Sequence, residues 1–127
     1  MVESNIKQRQ RGDKAEGLAE TYLESAGYTI LARNYRCPQG EIDLIARQGK
    51  SVHFVEVKGR WSRRKGTALE QITGRKQYRI ARAAQHYLSS QFDLAGFRLY
   101  FSVIGIDLAD SPPRISWVPN AFEDPSS

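Results

Sequence analysis

Two short acidic motifs contain the residues with the clearest capacity for chemistry. Gly40-Glu-Ile-Asp43 comes first and Val55-Glu-Val-Lys58 follows, and both lie in segments rich in strand-forming residues. Because alternate residues of a strand share a face, Glu56 and Lys58 are predicted to point one way and the two valines the other. A carboxylate and an ammonium group on an otherwise apolar strand are costly to bury without partners, so the motif indicates a site.

Asp43 is the natural third member of this site, and its position relative to Glu56 depends on how the two strands pair. A hairpin that turns at Gln48-Gly49 places Asp43 opposite Phe54, with Glu56 two positions along on the same face. A four-residue loop places Asp43 directly opposite Glu56. A three-residue loop would separate the two carboxylates onto opposite faces of the sheet. Two of the three registers therefore bring the acids together.

Two neighbouring carboxylates repel each other, and a divalent cation would relieve that repulsion. Oxygen ligands without Cys or His favour Mg²⁺ or Mn²⁺ over zinc, so Asp43 and Glu56 form a candidate metal site. Water held by such a cation is able to attack a phosphodiester, and Lys58 would orient or deprotonate that water or neutralise charge on the phosphate. The simpler alternative is a salt bridge between Glu56 and Lys58 on an edge strand.

The first predicted helix contributes one further acidic candidate. Apolar residues recur at helical spacing from Gly12, and Gly27 is typical of a helix C-terminus. At about 100 degrees per residue, Glu16 falls at the edge of the apolar stripe. The other acids of this helix lie farther round: Asp13, Glu20 and Glu24. Only Glu16 is therefore expected to reach the site from the core-facing side.

A strongly basic segment follows the acidic motifs. The chain has a net charge of +5, and residues 58–82 alone carry +8 because they contain nine basic residues and one acid. Such a field attracts polyanions, nucleic acid being the commonest, although a solvated basic helix face is the simpler interpretation. In the second predicted helix, Lys76 lies at the edge of the inward stripe, where it is placed to face the site, and the arginines face solvent or phosphate. The predicted nucleic-acid contacts are Arg60, Arg63, Arg64, Lys65, Arg75, Lys76, Arg79 and Arg82.

These motifs must be positioned by a small α/β domain. The 127 residues suit one domain, predicted over 12–122, with a loose basic arm over 1–11 and a tail over 123–127. The predicted order is α-β-β-β-α-β, a mixed sheet flanked by helices, and a further edge strand could follow. The predicted elements are a helix from Gly12, strands over 28–36, 41–47 and 51–58, a loop over 59–66, a helix from a Thr73 cap to about Leu88, and strands over 98–107 and 115–118.

Composition excludes several other classes of protein. The lone Cys37 excludes an internal disulfide, and with two histidines it cannot build a structural zinc cluster. No run approaches the length of about eighteen apolar residues that indicates a transmembrane span, and the N-terminus has no apolar signal core. We therefore expect a cytoplasmic protein without a membrane partner.

Together, the dispersed motifs resemble those of the PD-(D/E)xK nuclease superfamily. The matching residues are Gly12-Asp-Lys-Ala-Glu16, Gly40-Glu-Ile-Asp43 and Val55-Glu-Val-Lys58. Within the superfamily, the chain resembles the bacterial YraN-like family, which is related to archaeal Holliday-junction resolvases. The resemblance runs from about Gly12 to Phe122 and also includes Arg33-Asn34-Tyr35-Arg36, Lys76 and Asn120-Ala121-Phe122.

The resemblance implies a restriction-endonuclease-like fold and an endonuclease dependent on Mg²⁺ or Mn²⁺ that hydrolyses DNA, with branched or structured DNA as the expected substrate. It makes Asp43 and Glu56 metal ligands and Lys58 the catalytic lysine. Glu16 matches the helix-one glutamate of the resolvases. Glu41 matches the family motif either as an accessory ligand or as a charge at a loop end. Resolvases of similar fold work as dimers, so the resemblance also makes a homodimer an expectation.

Two residues depart from the pattern, and two other functions stay open. Ile42 replaces the superfamily proline, and Ser102 stands where the fourth strand usually has aspartate, which puts any supporting role of that position in doubt. One alternative is a nucleic-acid-binding protein that retains the fold without cutting. The other is an interaction scaffold with no nucleic-acid partner, which leaves the acids and the basic segment unexplained.

Overall fold

The computed structural model describes residues 2–61 and 67–125, and their side chains apart from those of 2–11 and Phe92. The element order confirms the predicted α/β class, and the further edge strand that the sequence allowed is present as the last strand. Two short 3-10 helices, Leu69–Gln71 and Phe92–Leu94, flank the second α-helix. The main elements are α1 (Val2–Ser25), β1 (Thr29–Cys37), β2 (Gly40–Gln48), β3 (Ser51–Arg60), α2 (Gly74–Leu88), β4 (Arg98–Asp107) and β5 (Arg114–Phe122).

The five strands form one mixed sheet in the order β1-β2-β3-β4-β5. The first three strands and the last pair run antiparallel, whereas β3 and β4 are parallel and are connected through α2. The strand that carries Glu56 and Lys58 is therefore the central one. This position contradicts the alternative of a salt bridge on an edge strand. None of the helices in the described parts of the chain is long and apolar enough to cross a membrane.

The two helices cover opposite faces of the sheet. On one face, Ala15 and Leu23 of α1 pack with residues such as Val55 of β3. On the other face, Ile80 and Tyr87 of α2 pack in a separate apolar cluster that includes the buried Phe54 ring of β3. The central strand is thus covered on both sides, which explains why residues 52–56 are all buried.

The N-terminus of α2 follows its local sequence. Thr73 has extended backbone angles, and its hydroxyl oxygen accepts a hydrogen bond from the Lys76 N–H at 3.2 Å. This is the N-cap geometry that the sequence predicts, and it satisfies one of the free N–H groups of the first turn.

Three element boundaries differ from the prediction by two residues or more. Helix α1 begins at Val2 rather than Gly12, because residues 2–11 contain no Gly or Pro and include several good helix formers, although they lack an apolar stripe. Strand β3 continues beyond Lys58 to Arg60 through its parallel pairing with β4. Strand β5 runs on through Pro119 to Phe122, which is compatible with proline because β5 is an edge strand.

The hairpin between β2 and β3 sets the relative position of the two acidic motifs. Gly49 and Lys50 form a two-residue turn, with Gly49 in the left-handed region at φ 59°. Leu44 pairs with Val55, which is the register that brings Asp43 level with Glu56. The predicted juxtaposition of the acids is therefore right, but the loop that produces it has two residues rather than four.

Two glycines allow the helices to approach the ends of β2 and β3 that carry the acidic motifs. A Cβ atom on Gly40 would lie 2.6 Å from the Arg79 carbonyl oxygen of α2. A Cβ atom on Gly59 would lie 2.8 Å from the Ala15 Cβ of α1. Real Cβ contacts are not this short, so both close approaches require glycine.

We expect Gly40→Ala to lower the free energy of unfolding by about 1–3 kcal/mol, because the methyl group would push α2 away from β2. Urea denaturation followed by circular dichroism measures this change. The matched control is Gly17→Ala in α1, where a Cβ would meet nothing within 4 Å. That control should raise stability by about 0.5–1 kcal/mol through its better helix propensity. Equal stability of Gly40→Ala and the wild type would contradict the close approach.

Candidate active site

The candidate site lies where β2 and β3 separate. Their pairing ends at Leu44 and Val55, just before Asp43 and Glu56. Beyond that point the Val57 N–H donates to Oδ2 of Asp43 at 2.8 Å, so a carboxylate takes the place of a partner carbonyl. Ile42 packs on the α2 side of the sheet and Leu44 on the α1 side, so the strand alternation is broken between them. Asp43 occupies that break.

Glu56 is buried beside Asp43 and is neutralised from α2. Its side chain is only 7% exposed, and its Oε1 lies 2.6 Å from the Nζ of Lys76. The sequence places Lys76 at the edge of the inward stripe of this helix, facing the site, and also predicts it as a nucleic-acid contact. In the structure the ammonium group faces the site and forms an ion pair with the buried carboxylate.

The electrostatics of Asp43 reflect burial next to a like charge. Burial is the largest influence and the Glu56 carboxylate the second, and together they raise the pKa of Asp43 from 3.8 to about 7. The hydrogen bond from Val57 and the Lys76 charge act in the opposite direction, but they are too weak to restore an ordinary value. The pair therefore holds more negative charge than its protein partners compensate.

Glu16 approaches the pair from α1, as predicted. It is half-buried, and burial is the main reason why its pKa is raised. Its carboxylate is hydrogen-bonded to the Asn34 side chain, and it lies close enough to Glu56 for that charge to contribute to the shift. The Glu16 charge also lies close enough to Asp43 to help raise the pKa of Asp43.

Asn34 is a residue of the site that the motifs alone did not identify. It lies in β1 between the pairs Arg33–Leu44 and Tyr35–Ile42, hence opposite Asp43. Its φ of 50° is in the left-handed region, which Asn tolerates better than most residues. An asparagine, a residue type that strands disfavour, inside the first predicted strand was the available signal.

Glu41 and Lys58 occupy different environments. Glu41 is exposed, and its Oε2 lies 3.3 Å from the Arg36 Nε, so it does not join the buried carboxylate pair. Lys58 is half-buried, two residues after Glu56 on the same strand. No salt bridge within the described residues involves Lys58.

The oxygen donors available among the described residues suit a hydrated Mg²⁺ ion and do not form a complete ligand set made of protein side chains alone. Over residues 2–61 and 67–125, no group of three or more His, Cys, Asp or Glu side chains forms a ready-made metal cluster. Hydrogen bonding and ion pairing engage Oδ2 of Asp43 and Oε1 of Glu56, which leaves one oxygen of each carboxylate for a cation. Mg²⁺ is commonly held by one or two carboxylates and several waters, so two oxygens are enough.

The predicted basic residues divide into three groups. Arg75 and Arg79 are exposed and, with Lys76, line a pocket of about 430 Å³ that Glu41 and Thr73 complete. Arg82 is also exposed on α2. Arg60, in contrast, donates from Nε and Nη2 to Oδ1 of Asp107 at 3.0 and 2.8 Å, so its charge is compensated. The remaining predicted contacts lie outside the described residues: Arg63, Arg64 and Lys65.

Ser102, the departure in the fourth strand, is a structural residue on the other side of the sheet. It is fully buried, and its hydroxyl donates to the Pro119 carbonyl oxygen at 2.7 Å. The same hydroxyl lies 2.8 Å from Nδ1 of His53. It therefore links β3, β4 and β5 and does not contact the carboxylate pair.

Stability should depend on pH through Asp43. Between about pH 4 and pH 7 the folded protein keeps a proton on Asp43 that the unfolded chain has released, so the free energy of unfolding falls as pH rises through this window. Asp43→Asn keeps an oxygen acceptor for the Val57 N–H and removes the charge. With a chelator present, the variant should match the wild type near pH 4 and be more stable near pH 8, by on the order of a few kcal/mol.

Urea denaturation at the two pH values measures this difference, and Gly17→Ala in α1, which changes no titratable group, is the control. The control should give the same offset from the wild type at both pH values. An Asp43→Asn offset that is likewise independent of pH would contradict the raised pKa.

Comparison with known proteins shows the family. The model of a family described as "Uncharacterised protein family UPF0102" matches residues 15–106, which is more than half of the chain. A UPF0102 protein of Geobacter metallireducens is 44% identical over 119 residues, covering 94% of this chain and 97% of the relative. A UPF0102 protein of Moorella thermoacetica is 44% identical over 113 residues, covering 89% and 92% of the two chains.

A relative from Clostridium acetobutylicum, also named a UPF0102 protein, is 39% identical over 117 residues, covering 91% of this chain and 95% of its own length. These names give the family and no activity. The matches confirm the resemblance on which the motif analysis converged, and the chain belongs to the UPF0102 family, which is the YraN family.

Proposed function

We propose that the protein is an endonuclease dependent on Mg²⁺ or Mn²⁺ that hydrolyses phosphodiesters of DNA, with branched or otherwise structured DNA as its substrate. The observation that carries the proposal is the buried pair Asp43 and Glu56, in which the pKa of Asp43 is raised to about 7 beside a cationic pocket. A protein that only bound phosphates would gain nothing from carboxylates next to them. A cation between the acids and the phosphate makes both charges favourable.

The roles of the acids follow from their free oxygens. Asp43 and Glu56 would hold the cation, and Glu16 would add negative potential from α1. When bound, the cation supplies charge neutralisation, a more acidic water and polarisation of the phosphoryl oxygen. In the hydrolysis, a water oxygen forms a bond to phosphorus, the bond to one sugar oxygen breaks, and that leaving oxygen takes up a proton.

The two lysines would act on different parts of this reaction. Lys58 follows Glu56 on the same strand and has no salt-bridge partner among the described residues. It is suited to stabilise negative charge that develops on the phosphate or to help deprotonate the water. Lys76 holds the Glu56 carboxylate in place, and its 41% exposed side chain also lines the pocket where phosphate would enter.

The exposed arginines of α2 would contact the phosphates of the DNA backbone. Arg75, Arg79 and Arg82 recur at the spacing of one helix face, and the first two line the pocket beside Lys76. Exposed guanidinium groups at this spacing suit contacts with successive phosphates. Arg60 is excluded from this surface because Asp107 neutralises it.

The second candidate is a nucleic-acid-binding protein that retains the fold without cutting. The ion pair between Glu56 and Lys76 favours it, because this pair alone gives Glu56 a structural reason to be present. Metal binding and cleavage therefore separate the two candidates.

Glu56→Gln should reduce cleavage of a branched DNA by at least about a hundredfold, because it removes a cation ligand and keeps the shape of the side chain. Cleavage is measured on a labelled four-way junction with Mg²⁺ or Mn²⁺. DNA binding in a chelator should be unchanged or stronger, because the carboxylate that repels phosphate is absent from the variant.

Lys58→Met should abolish cutting and leave Mn²⁺ affinity close to the wild-type value, because the lysine is not a ligand. Gel filtration and circular dichroism confirm that both variants are folded. A wild-type protein that binds DNA and shows no metal-dependent cutting of junctions, flaps, single strands or RNA would favour the non-cutting candidate.

Replacing Arg75, Arg79 and Arg82 together by Gln should weaken DNA binding across sequences. The slope of log affinity against log salt concentration should fall by up to about one unit for each phosphate that the variant no longer neutralises. Fluorescence anisotropy at several salt concentrations measures both quantities. Arg114→Gln, on an exposed arginine of the edge strand β5, is the control and should leave both unchanged. An unchanged slope for the triple variant would place the DNA surface elsewhere.

A further inference from the structure

Trp61 is a large aromatic residue at the surface, next to the candidate active site. It directly follows β3, and 44% of it is exposed. The other tryptophan, Trp117 of β5, packs against the α1 side of the core and contacts the rings of Tyr28 and His53. Trp61, in contrast, belongs to none of the three apolar clusters that the described residues form. Core packing therefore does not account for an indole at this position.

The chain path places Trp61 close to the carboxylate pair. It is the third residue after Lys58, and at about 3.4 Å per residue its Cα lies within about 10 Å of the Lys58 Cα. The Lys14 Nζ of α1 lies 5.8 Å from the centre of the indole ring, and Glu16 is two residues farther along the same helix. Trp61 therefore lies beside α1, at the end of the sheet that holds the two buried carboxylates.

The carboxylate pair thus lies between two surfaces that suit different parts of a nucleotide. Helix α2 covers one face of the sheet, where Arg75, Arg79 and Lys76 line the pocket proposed for phosphate. Helix α1 covers the opposite face, where Trp61 presents a flat ring beside the Lys14 ammonium group. Guanidinium groups bind phosphates, whereas indole rings stack on bases. A DNA strand bound at the acids would therefore meet backbone contacts on one side and a base contact on the other.

We propose that Trp61 stacks on an unpaired base of the bound DNA and thereby selects substrates that contain unpaired bases. This role rests on the proposed function, because it concerns the same site and the same substrate. Stacked bases are about 3.4 Å apart along a strand, so a span of about 10 Å places this base within about three nucleotides of the phosphate at the acids. The exposed Lys14 would neutralise a phosphate of the same nucleotide.

Stacking on a protein ring discriminates between paired and unpaired DNA. In an intact duplex both faces of each base are covered by neighbouring bases, so Trp61 has access only after a base has been extruded. Extrusion costs unpairing and unstacking free energy, and that cost is smallest for a base that is already single-stranded. Because every base has a π face, the selection depends on DNA structure and little on sequence. Trp61 thus gives the proposed preference for structured DNA a physical basis in this chain.

DNA binding in a chelator tests this role without requiring cleavage. The probes are a labelled blunt duplex and a tailed duplex, which is the same duplex with a single-stranded arm of adenines, and fluorescence anisotropy measures both dissociation constants. Trp61→Ala should raise the dissociation constant for the tailed duplex at least about fivefold, the lower end of the effect of losing one base–aromatic stack. The dissociation constant for the blunt duplex should change by less than about twofold, because its paired bases do not reach the ring.

Two further substitutions separate stacking from general apolar contact. Trp61→Phe keeps a flat ring and should retain most of the preference for the tailed duplex. Trp61→Leu keeps apolar volume without a ring and should bind like Trp61→Ala. Leu99→Ala is the matched control, because Leu99 is also 44% exposed and pairs with Val52 near the opposite end of β3. This control should leave both dissociation constants unchanged.

Tryptophan emission reports the contact itself. The chain has two tryptophans, so Trp117→Phe leaves Trp61 as the only one. Stacking of a base on the Trp61 indole should quench its emission when the tailed duplex is added, and the blunt duplex should quench it much less. In Trp61→Phe, the emission of the remaining Trp117 should be unaffected by either DNA.

Three outcomes would overturn the stacking role. The first is an equal loss of affinity for both DNA probes in Trp61→Ala, which would indicate a contact that does not distinguish unpaired bases. The second is a Trp61 emission that the tailed duplex leaves unchanged although the protein binds it. The third is a lowered urea midpoint of Trp61→Ala with an unchanged preference for the tailed duplex, which would make Trp61 a packing residue.

Failure of the stacking role and failure of the proposed activity give different results. A wild-type protein that prefers the tailed duplex through Trp61 but cuts no DNA with Mg²⁺ or Mn²⁺ would support the stacking role and contradict the activity. Metal-dependent cutting of the four-way junction, combined with unchanged DNA binding by the Trp61 variants, would contradict the stacking role alone.

Discussion

The burial of two carboxylates side by side on the central part of the sheet is the constraint to which the neighbouring residues respond. Asp43 accepts the Val57 N–H, and Glu56 is paired with Lys76, yet the pKa of Asp43 is still raised to about 7. The stabilisation from these contacts is therefore smaller than the free-energy cost of desolvating the two carboxylates and bringing them together. Because folded domains are stable by only about 5–15 kcal/mol, the rest of the core must offset this cost. An arrangement that weakens the fold in this way is typical of a functional site.

The packing of both helices concentrates on the same point of the sheet. The absence of a side chain at Gly40 lets the Arg79 backbone of α2 approach β2, and the absence of one at Gly59 lets Ala15 of α1 approach β3. These two approaches place Lys76 and Glu16 on either side of the separating strands. At the far end of β3, the ion pair between Arg60 and Asp107 joins two residues that are partners in the parallel ladder. Next to the break between β2 and β3, each of the two strands stays paired with its outer neighbour, β1 or β4.

The basic residues that give residues 58–82 their strong positive charge have different roles in the folded chain. Lys76 neutralises a buried acid, Arg60 links two strands, and the exposed arginines of α2 remain available to phosphate. Their sum favours the proposed polyanion partner, because a local field depends on total charge. The sum does not reveal the surface that binds, because charges with buried or half-buried partners contribute little to an incoming phosphate.

The amino-acid sequence by itself determined the α/β class, the element order and the Thr73 cap, because alternation, helical period and capping depend on residues close together in the chain. It favoured the juxtaposition of Asp43 and Glu56 but left open a register that would separate them, and the observed register decided between the two. The sequence also placed Glu16 correctly on the core-facing edge of α1. Only the tertiary structure decided that Lys76 neutralises Glu56, that Asn34 holds Glu16 and that Asp107 compensates Arg60. Each of these contacts joins elements distant in sequence, and each depends on how the helices and strands pack against one another. Local sequence rules carry no information about that final packing, so the charges of the site were predictable and their partners were not.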